Sequence, residues 1–180
     1  MYSVIFDLEA TCNDRNIEPN FDNEIIEIGC VKVTEKGEVV DKLTLLVKPT
    51  RSIVTPYCTK LTTITKNLLN KEGIEFKDAY SKFEAFCEDS ENVFSWGFYD
   101  NKQLRKDCKI NKINCDAVIS KHRNLKEEHK DLFNLKRGIG VSKALNKANL
   151  SFDGTQHRGI DDALNIAKIY KHMVETKDFK

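Results

Sequence analysis

The sequence predicts an α/β domain in which helices cover both faces of a mixed sheet. Three observations carry that expectation. Three strand-like runs lead the chain, helices and strands alternate after them, and 180 residues with 40% hydrophobic content suffice for one core.

The elements follow in order. Residues 2–8, YSVIFDL, are an apolar run that predicts a central strand. Residues 24–34 predict a second strand, in which Gly29 marks a bulge or a close-packing point. Lys36 and Gly37 form a hairpin turn, residues 38–47 follow as the third strand, and the hairpin makes strand two antiparallel to its neighbours. Pro49 and Pro56 bound a loop, and residues 58–64 suggest a short helix. In residues 76–88, Phe76, Ala79, Tyr80, Phe83 and Cys87 recur at helical spacing. Residues 92–99 predict a fourth strand, with Trp96 in the core beside Phe94 and Phe98. Asp100 then opens a helix of about ten residues, with Gln103 placed as in a capping box. Residues 116–121 are expected as an edge strand, 125–135 as a charged helix and 141–149 as a short one. Residues 160–176 predict a long helix whose apolar stripe is Ile160, Ala163, Leu164, Ala167 and Val174. One domain is expected over residues 1–176, with 177–180 as a C-terminal tail.

Composition narrows the function. No apolar run approaches the ~20 residues of a membrane span, and no basic-then-apolar leader opens the chain. The six cysteines show neither C-x-x-C nor a zinc spacing with histidine. Reduced thiols in a cytoplasmic protein are therefore expected, with Cys30 and Cys87 in the core. The net charge is only +1, but it is unevenly spread. Residues 101–147 hold 13 Lys and Arg against 5 Asp and Glu, whereas residues 1–100 hold 11 against 18. A basic stretch beside an acidic site suits a polyanion steered toward a cation.

The chemistry-bearing residues are Asp7, Glu9, Asp100, His157 and Asp162. Alternation puts Asp7 and Glu9 on one strand face, where like charges repel unless a cation sits between them. Carboxylates from distant segments would complete an oxygen-rich site for Mg²⁺ or Mn²⁺. His157 and Asp162 are five residues apart, about 140 degrees on one helix, too far to share a face. His157 is therefore expected in the loop before the last helix, with Asp162 in that helix's first turns. A histidine there accepts a proton near neutral pH. Asp161 is assigned no metal, and His122, His129 and His172 are expected to face solvent.

The D-x-E pair in VIFDLEATC, the Asp closing VFSWGFYD and H-x₄-D in HRGIDDALNIA resemble the DEDDh 3′→5′ exonucleases, also called DnaQ-like. The resemblance runs from Val4 to about Tyr170. DLEATC, YCTKLTTIT, SWGFYD and HRGIDDALNIA read like the RNA-trimming branch with ERI-type and KapD-like proteins. It implies an RNase H-like three-layer fold with a five-stranded sheet in order 3-2-1-4-5. That order makes strands one and four neighbours and brings Asp7, Glu9 and Asp100 together. It also implies two divalent ions, Mg²⁺ or Mn²⁺, held by Asp7, Glu9, Asp100 and Asp162, with His157 as general base. Substrate contacts are implied at Ala10, at Thr11 for the terminal sugar, and at Tyr57, Leu61 and Tyr99 for the last bases. Arg158 is placed on the scissile phosphate or in a salt bridge with Asp161 or Asp162. The implied substrate is a single-stranded RNA or DNA 3′ end. Two alternatives are DNA proofreading or repair trimming, and a non-catalytic nucleic-acid-binding regulator.

Overall fold

Strand alternation in the first nine residues sets up the architecture. A computed structural model describes residues 1–14, 18 and 20–176; the expected tail, 177–180, lies outside the described residues. β1 (Tyr2–Ala10) sends Val4, Phe6 and Leu8 to one face and Ile5 to the other. Asp7 and Glu9 share the face of Ile5. β2 (Ile25–Thr34) pairs antiparallel with β1, and β3 (Val39–Leu46) antiparallel with β2. The hairpin turns through Gly37, whose φ of 75° lies in the left-handed region that glycine tolerates. β4 (Ser90–Ser95) pairs parallel with β1, and β5 (His122–Asn124) parallel with β4. The strand order is β3-β2-β1-β4-β5, the expected RNase H-like sheet.

Helices cover both faces. α3 (Phe76–Cys87), α4 (Tyr99–Ile110) and α5 (Asp116–Ile119) close the core around Phe6, where the Phe6 and Phe83 rings lie 5.3 Å apart. Burying one such phenyl contributes about 1.5–3 kcal/mol. α6 (Leu125–Leu132), α7 (Val141–Lys147) and α8 (Gly159–Glu175) close the core around Ile5 and Phe94. The predicted stripe of α8 is present and widened by Ile166, Ile169, Tyr170 and Met173. A third cluster joins Ile26, Cys58, Ile64 and Leu69 beneath α1 (Pro56–Thr62) and α2 (Lys66–Glu72).

The structure corrects several local expectations. Pro56 does not merely bound a loop. It opens α1, where its missing N–H costs nothing, while Thr55 caps the helix through Cys58 N. α2 was not anticipated. Residues 116–121 are not an edge strand; Asn114 accepts from Asp116 N and starts α5, which buries Val118 and Ile119, and the edge strand follows at β5. β4 ends at Ser95 because the chain turns through Gly97 at φ 113°. Trp96 is partly buried against the Phe94 side and bonds Ile139 O. Asp100 is not an N-cap, since α4 already begins at Tyr99, and Gln103 donates to Asn23 O and Asp107 rather than forming a capping box. His129 is buried between the Trp96 and Phe133 rings, and His122 bonds Ser95, so neither faces solvent freely. Cys30 and Cys87 are core residues, as expected.

Candidate active site

Two glycines bring the first and last segments of the chain together. Gly29 on β2 lies opposite Asp7 on β1. A Cβ at Gly29 would sit 2.0 Å from Gly159 C and 2.1 Å from Ile160 N; one at Gly159 would sit 2.9 Å from Asp7 O. The N-terminus of α8 therefore rests backbone against backbone on the sheet, which only glycine permits. This contact carries Asp162 to the strand: one oxygen each from Asp7, Glu9 and Asp162 lie within 4.8 Å of one another.

Asp100 approaches from α4 and is buried. Its Oδ1 accepts from Leu8 N at 3.2 Å, between the two acids of β1, and it lies outside the 4.8 Å set. His157 stands in the loop before α8, as its spacing from Asp162 requires. It is exposed, adopts φ 61°, and its backbone N–H donates to Asp162 Oδ2 at 2.7 Å.

A buried ion pair fixes this loop, and here one expectation is corrected. The Arg158 guanidinium forms a salt bridge with neither Asp161 nor Asp162. Its Nε and Nη2 donate to Glu27 at 3.2 and 3.0 Å, and Gly159 N donates to the same carboxylate at 2.8 Å. Glu27 is 0% exposed and pairs in register with Glu9. Its charge demands a cation and hydrogen bonds, and the guanidinium and Gly159 N–H supply them. Asp161 accepts from Thr155 N, a structural role.

Thr11 is tied into the fold. Its hydroxyl donates to Ser52 and accepts from Glu24 N, and its own N–H donates to Glu24 O, so the residue is buried and internally satisfied. Ala10 is buried at the end of β1, with its carbonyl facing Cys58 Sγ at 3.7 Å. That contact docks α1 beside the site, with Tyr57 (44% exposed) and Leu61 (36%) one turn apart on its open face. Tyr99 is 50% exposed, and burial of its phenol, then the charges of Asp100 and Glu9, pushes it up to about 12.

The carboxylates hold their protons unusually tightly. Burial, then repulsion from Asp100, Asp162 and Glu9, pushes Asp7 well above the usual carboxylate range. Burial and the charge of Asp162 push Glu9 up to about 9. Burial raises Asp100 to about 7 against the pull of the Leu8 N–H, and raises Asp162 to about 6 against that of the His157 N–H. The cluster has negative charge to spare, all its donors are hard oxygens, and the adjacent guanidinium is engaged elsewhere. Those properties fit Mg²⁺ or Mn²⁺.

Comparison with known proteins decides the family. The exonuclease family RNase_T matches residues 4–170. The chain belongs to the RNase_T exonuclease family. Within it, this exonuclease is 32% identical over 179 residues to the probable 3′-5′ exonuclease KapD of Bacillus subtilis, covering 98% of this chain and 86% of that protein. It is 26% identical over 190 residues to 3′-5′ exoribonuclease 1 of Rattus norvegicus, covering 97% of this chain and 53% of that protein. The exonuclease spans about half of that longer relative. Its fold superposes on the crystallographic nuclease domain of 3′hExo, a DEDDh family member bound to rAMP, with a TM-score of 0.89 and 25% identity, over 98% of this chain and 92% of that one. The exonuclease is thus of the DEDDh 3′→5′ type, a family that uses divalent metal ions.

The raised carboxyl groups make metal stabilisation depend on pH. A carboxyl whose folded pKa exceeds its unfolded one favours the fold while protonated, and that advantage is lost as pH rises from the unfolded value through the folded one. For Asp162, Asp100 and Glu9 the window runs from about 4 up to about 6, 7 and 9. The rise in Tm on adding Mn²⁺ is expected to be small at pH 5.5 and several degrees larger at pH 8.5. Differential scanning fluorimetry with and without the ion checks it; a rise equal at both pH values contradicts it.

Proposed function

We propose that this exonuclease trims single-stranded RNA from the 3′ end and releases 5′-mononucleotides. Two divalent ions, Mg²⁺ or Mn²⁺, are held by Asp7, Glu9, Asp100 and Asp162, and His157 is the general base. The observation that carries the reading is the convergence of Asp7, Glu9 and Asp162 oxygens beside a loop histidine. When bound, the ions supply charge neutralisation at the phosphodiester and acidify water.

The remaining work falls to side chains of this chain. His157 is exposed beside Asp162 and takes the proton of the attacking water. The backbone bond to Asp162 and the Arg158–Glu27 pair hold its loop still, which keeps the base in position. Tyr57, Leu61 and Tyr99 offer apolar surface on which unpaired bases stack without regard to sequence. RNA is favoured because the rat relative is named an exoribonuclease and the 3′hExo domain binds rAMP. Among the described residues no helix is long and apolar enough to cross a membrane. The six unpaired cysteines support work in the cytoplasm.

The test follows 5′-labelled RNA and DNA of one sequence with Mn²⁺, Mg²⁺ or EDTA. A ladder shortening from the 3′ end, dependent on metal and faster on RNA, is expected. The variant His157→Ala is expected to lose 10²–10⁴-fold in kcat, roughly the worth of a general base, with little change in binding. Shortening in EDTA, or full turnover without His157, contradicts the mechanism; faster DNA cleavage moves the enzyme to the DNA-trimming reading.

A further inference from the structure

Nine of the described lysines and arginines pair with carboxylates. Lys32 bonds Asp89, Lys106 bonds Asp22, Arg51 bonds Asp107, Lys168 bonds Asp153 and Lys171 bonds Glu38. The segment from α6 to α7 carries cations without such a partner. Lys136, Arg137 and Lys143 are exposed, and among the described residues none of them forms an ion pair. They lie on the segment joining α6 to α7 and on α7 itself, within the basic part of the sequence.

That segment borders a groove of about 530 Å³ whose walls include Ser142, Lys143, Phe152, Gln156, His157 and Asp162. The groove therefore opens directly onto the base and one of the metal-binding acids. Its rim is held in place. Trp96 Nε1 donates to Ile139 O at 2.9 Å, and Gln156 Nε2 donates to Ser142 Oγ at 3.3 Å. The stem of Lys126 lies under Gly138, where a Cβ would meet its Cε at 3.0 Å. The same stem reaches Gly97, on the turn that leads to Asp100. Lys143 thus lines the groove beside His157, and Lys136 and Arg137 stand exposed on the segment that leads into it.

We infer that this groove binds the ribose–phosphate backbone of the RNA strand on the 5′ side of the scissile bond. Lys136, Arg137 and Lys143 meet successive phosphates, and Phe152 packs against a sugar or base. The inference rests on the RNA-trimming reading and extends it: the exposed aromatic residues of α1 and α4 take the terminal nucleotide, while the cationic groove of α7 takes the strand behind it. Phosphate contacts supply affinity and register without reading sequence.

The experiment compares a diribonucleotide with a 12-nucleotide RNA, using wild type and the triple variant Lys136→Gln, Arg137→Gln, Lys143→Gln. The diribonucleotide has no strand to lay in the groove. On the 12-mer, KM of the variant is expected to rise at least about 10-fold with kcat changed less than about twofold. The slope of log KM against log salt should flatten by about 2, near 0.7 for each of three lost phosphate contacts. On the diribonucleotide, KM and kcat are expected to match wild type. An unchanged KM and salt slope on the 12-mer overturns the inference, as does an equal loss on both substrates. Wild type inert toward both RNAs overturns the parent reading instead, so the two failures are told apart.

Discussion

Replacing Gly29 with alanine will destabilise the protein and lower its activity about 100-fold. The added methyl would lie 2.0 Å from Gly159 C and 2.1 Å from Ile160 N. Carbon contacts relax near 3.5–4.0 Å, so α8 must retreat by roughly 1.5 Å. Both colliding groups are backbone, and no rotamer change relieves them. Overpacking of this kind costs about 1–3 kcal/mol and more where nothing yields; about 3 kcal/mol is expected, or a Tm loss of roughly 6–12 °C for a chain of this size. The catalytic loss is larger. The same retreat carries Asp162 and the His157 loop away from Asp7 and Glu9, and a misplacement of about 1 Å costs about 100-fold. Thermal denaturation and single-turnover cleavage check both effects. A variant with wild-type Tm and rate would show that the α8 contact does not position the site.

Glu27→Ala is the second large effect. The glutamate is buried, faces Glu9 across the sheet, and holds Arg158 and Gly159 N together. Removing one partner of a buried pair costs about 3–5 kcal/mol, because the other charge and the freed N–H are left without their partner. Arg158 keeps a quarter of its side chain exposed, which places the expected cost near the lower end, about 3 kcal/mol. Loss of Glu27 also removes a like charge that raises Asp7 and Glu9, so their carboxyls ionise at lower pH in the variant. Urea denaturation at pH 7 reads the cost. A difference below about 0.5 kcal/mol would show that the pair does not anchor the loop.

Much of the site was legible because its signals are local. Alternation along VIFDLEATC puts Asp7 and Glu9 on one face, and the strand keeps them there. The five-residue gap from His157 to Asp162 is incompatible with one helix face, and the chain places the histidine in the loop before α8. Gly29 stood out as a glycine inside a strand, and close packing proved to be its reason. What escaped was non-local. Glu27 and Arg158 are 131 residues apart, and nothing in either neighbourhood names the partner. A charged residue inside the apolar run of strand two was the available sign that Glu27 is buried and must be paired. Asp107 escaped likewise: fully buried on α4, it receives Ile25 N, Gln103 and Arg51 from three segments. The partners of Thr11, Ser52 and Glu24, also arrive through the fold. At residues 116–121, β-branched Val118 and Ile119 read as strand, while the chain forms one helical turn whose Asp116 N–H bonds Asn114 Oδ1.

The most direct test of the central claim, that these carboxylates form a divalent-ion site, is a calorimetric titration of Mn²⁺ into the metal-free protein at pH 7.5. AMP is included to supply phosphate oxygens, and Asp7→Asn is run alongside. Saturable binding of two ions per chain, with at least one lost in the variant, is the predicted result. No saturable binding, or the same isotherm for both proteins, would contradict the account.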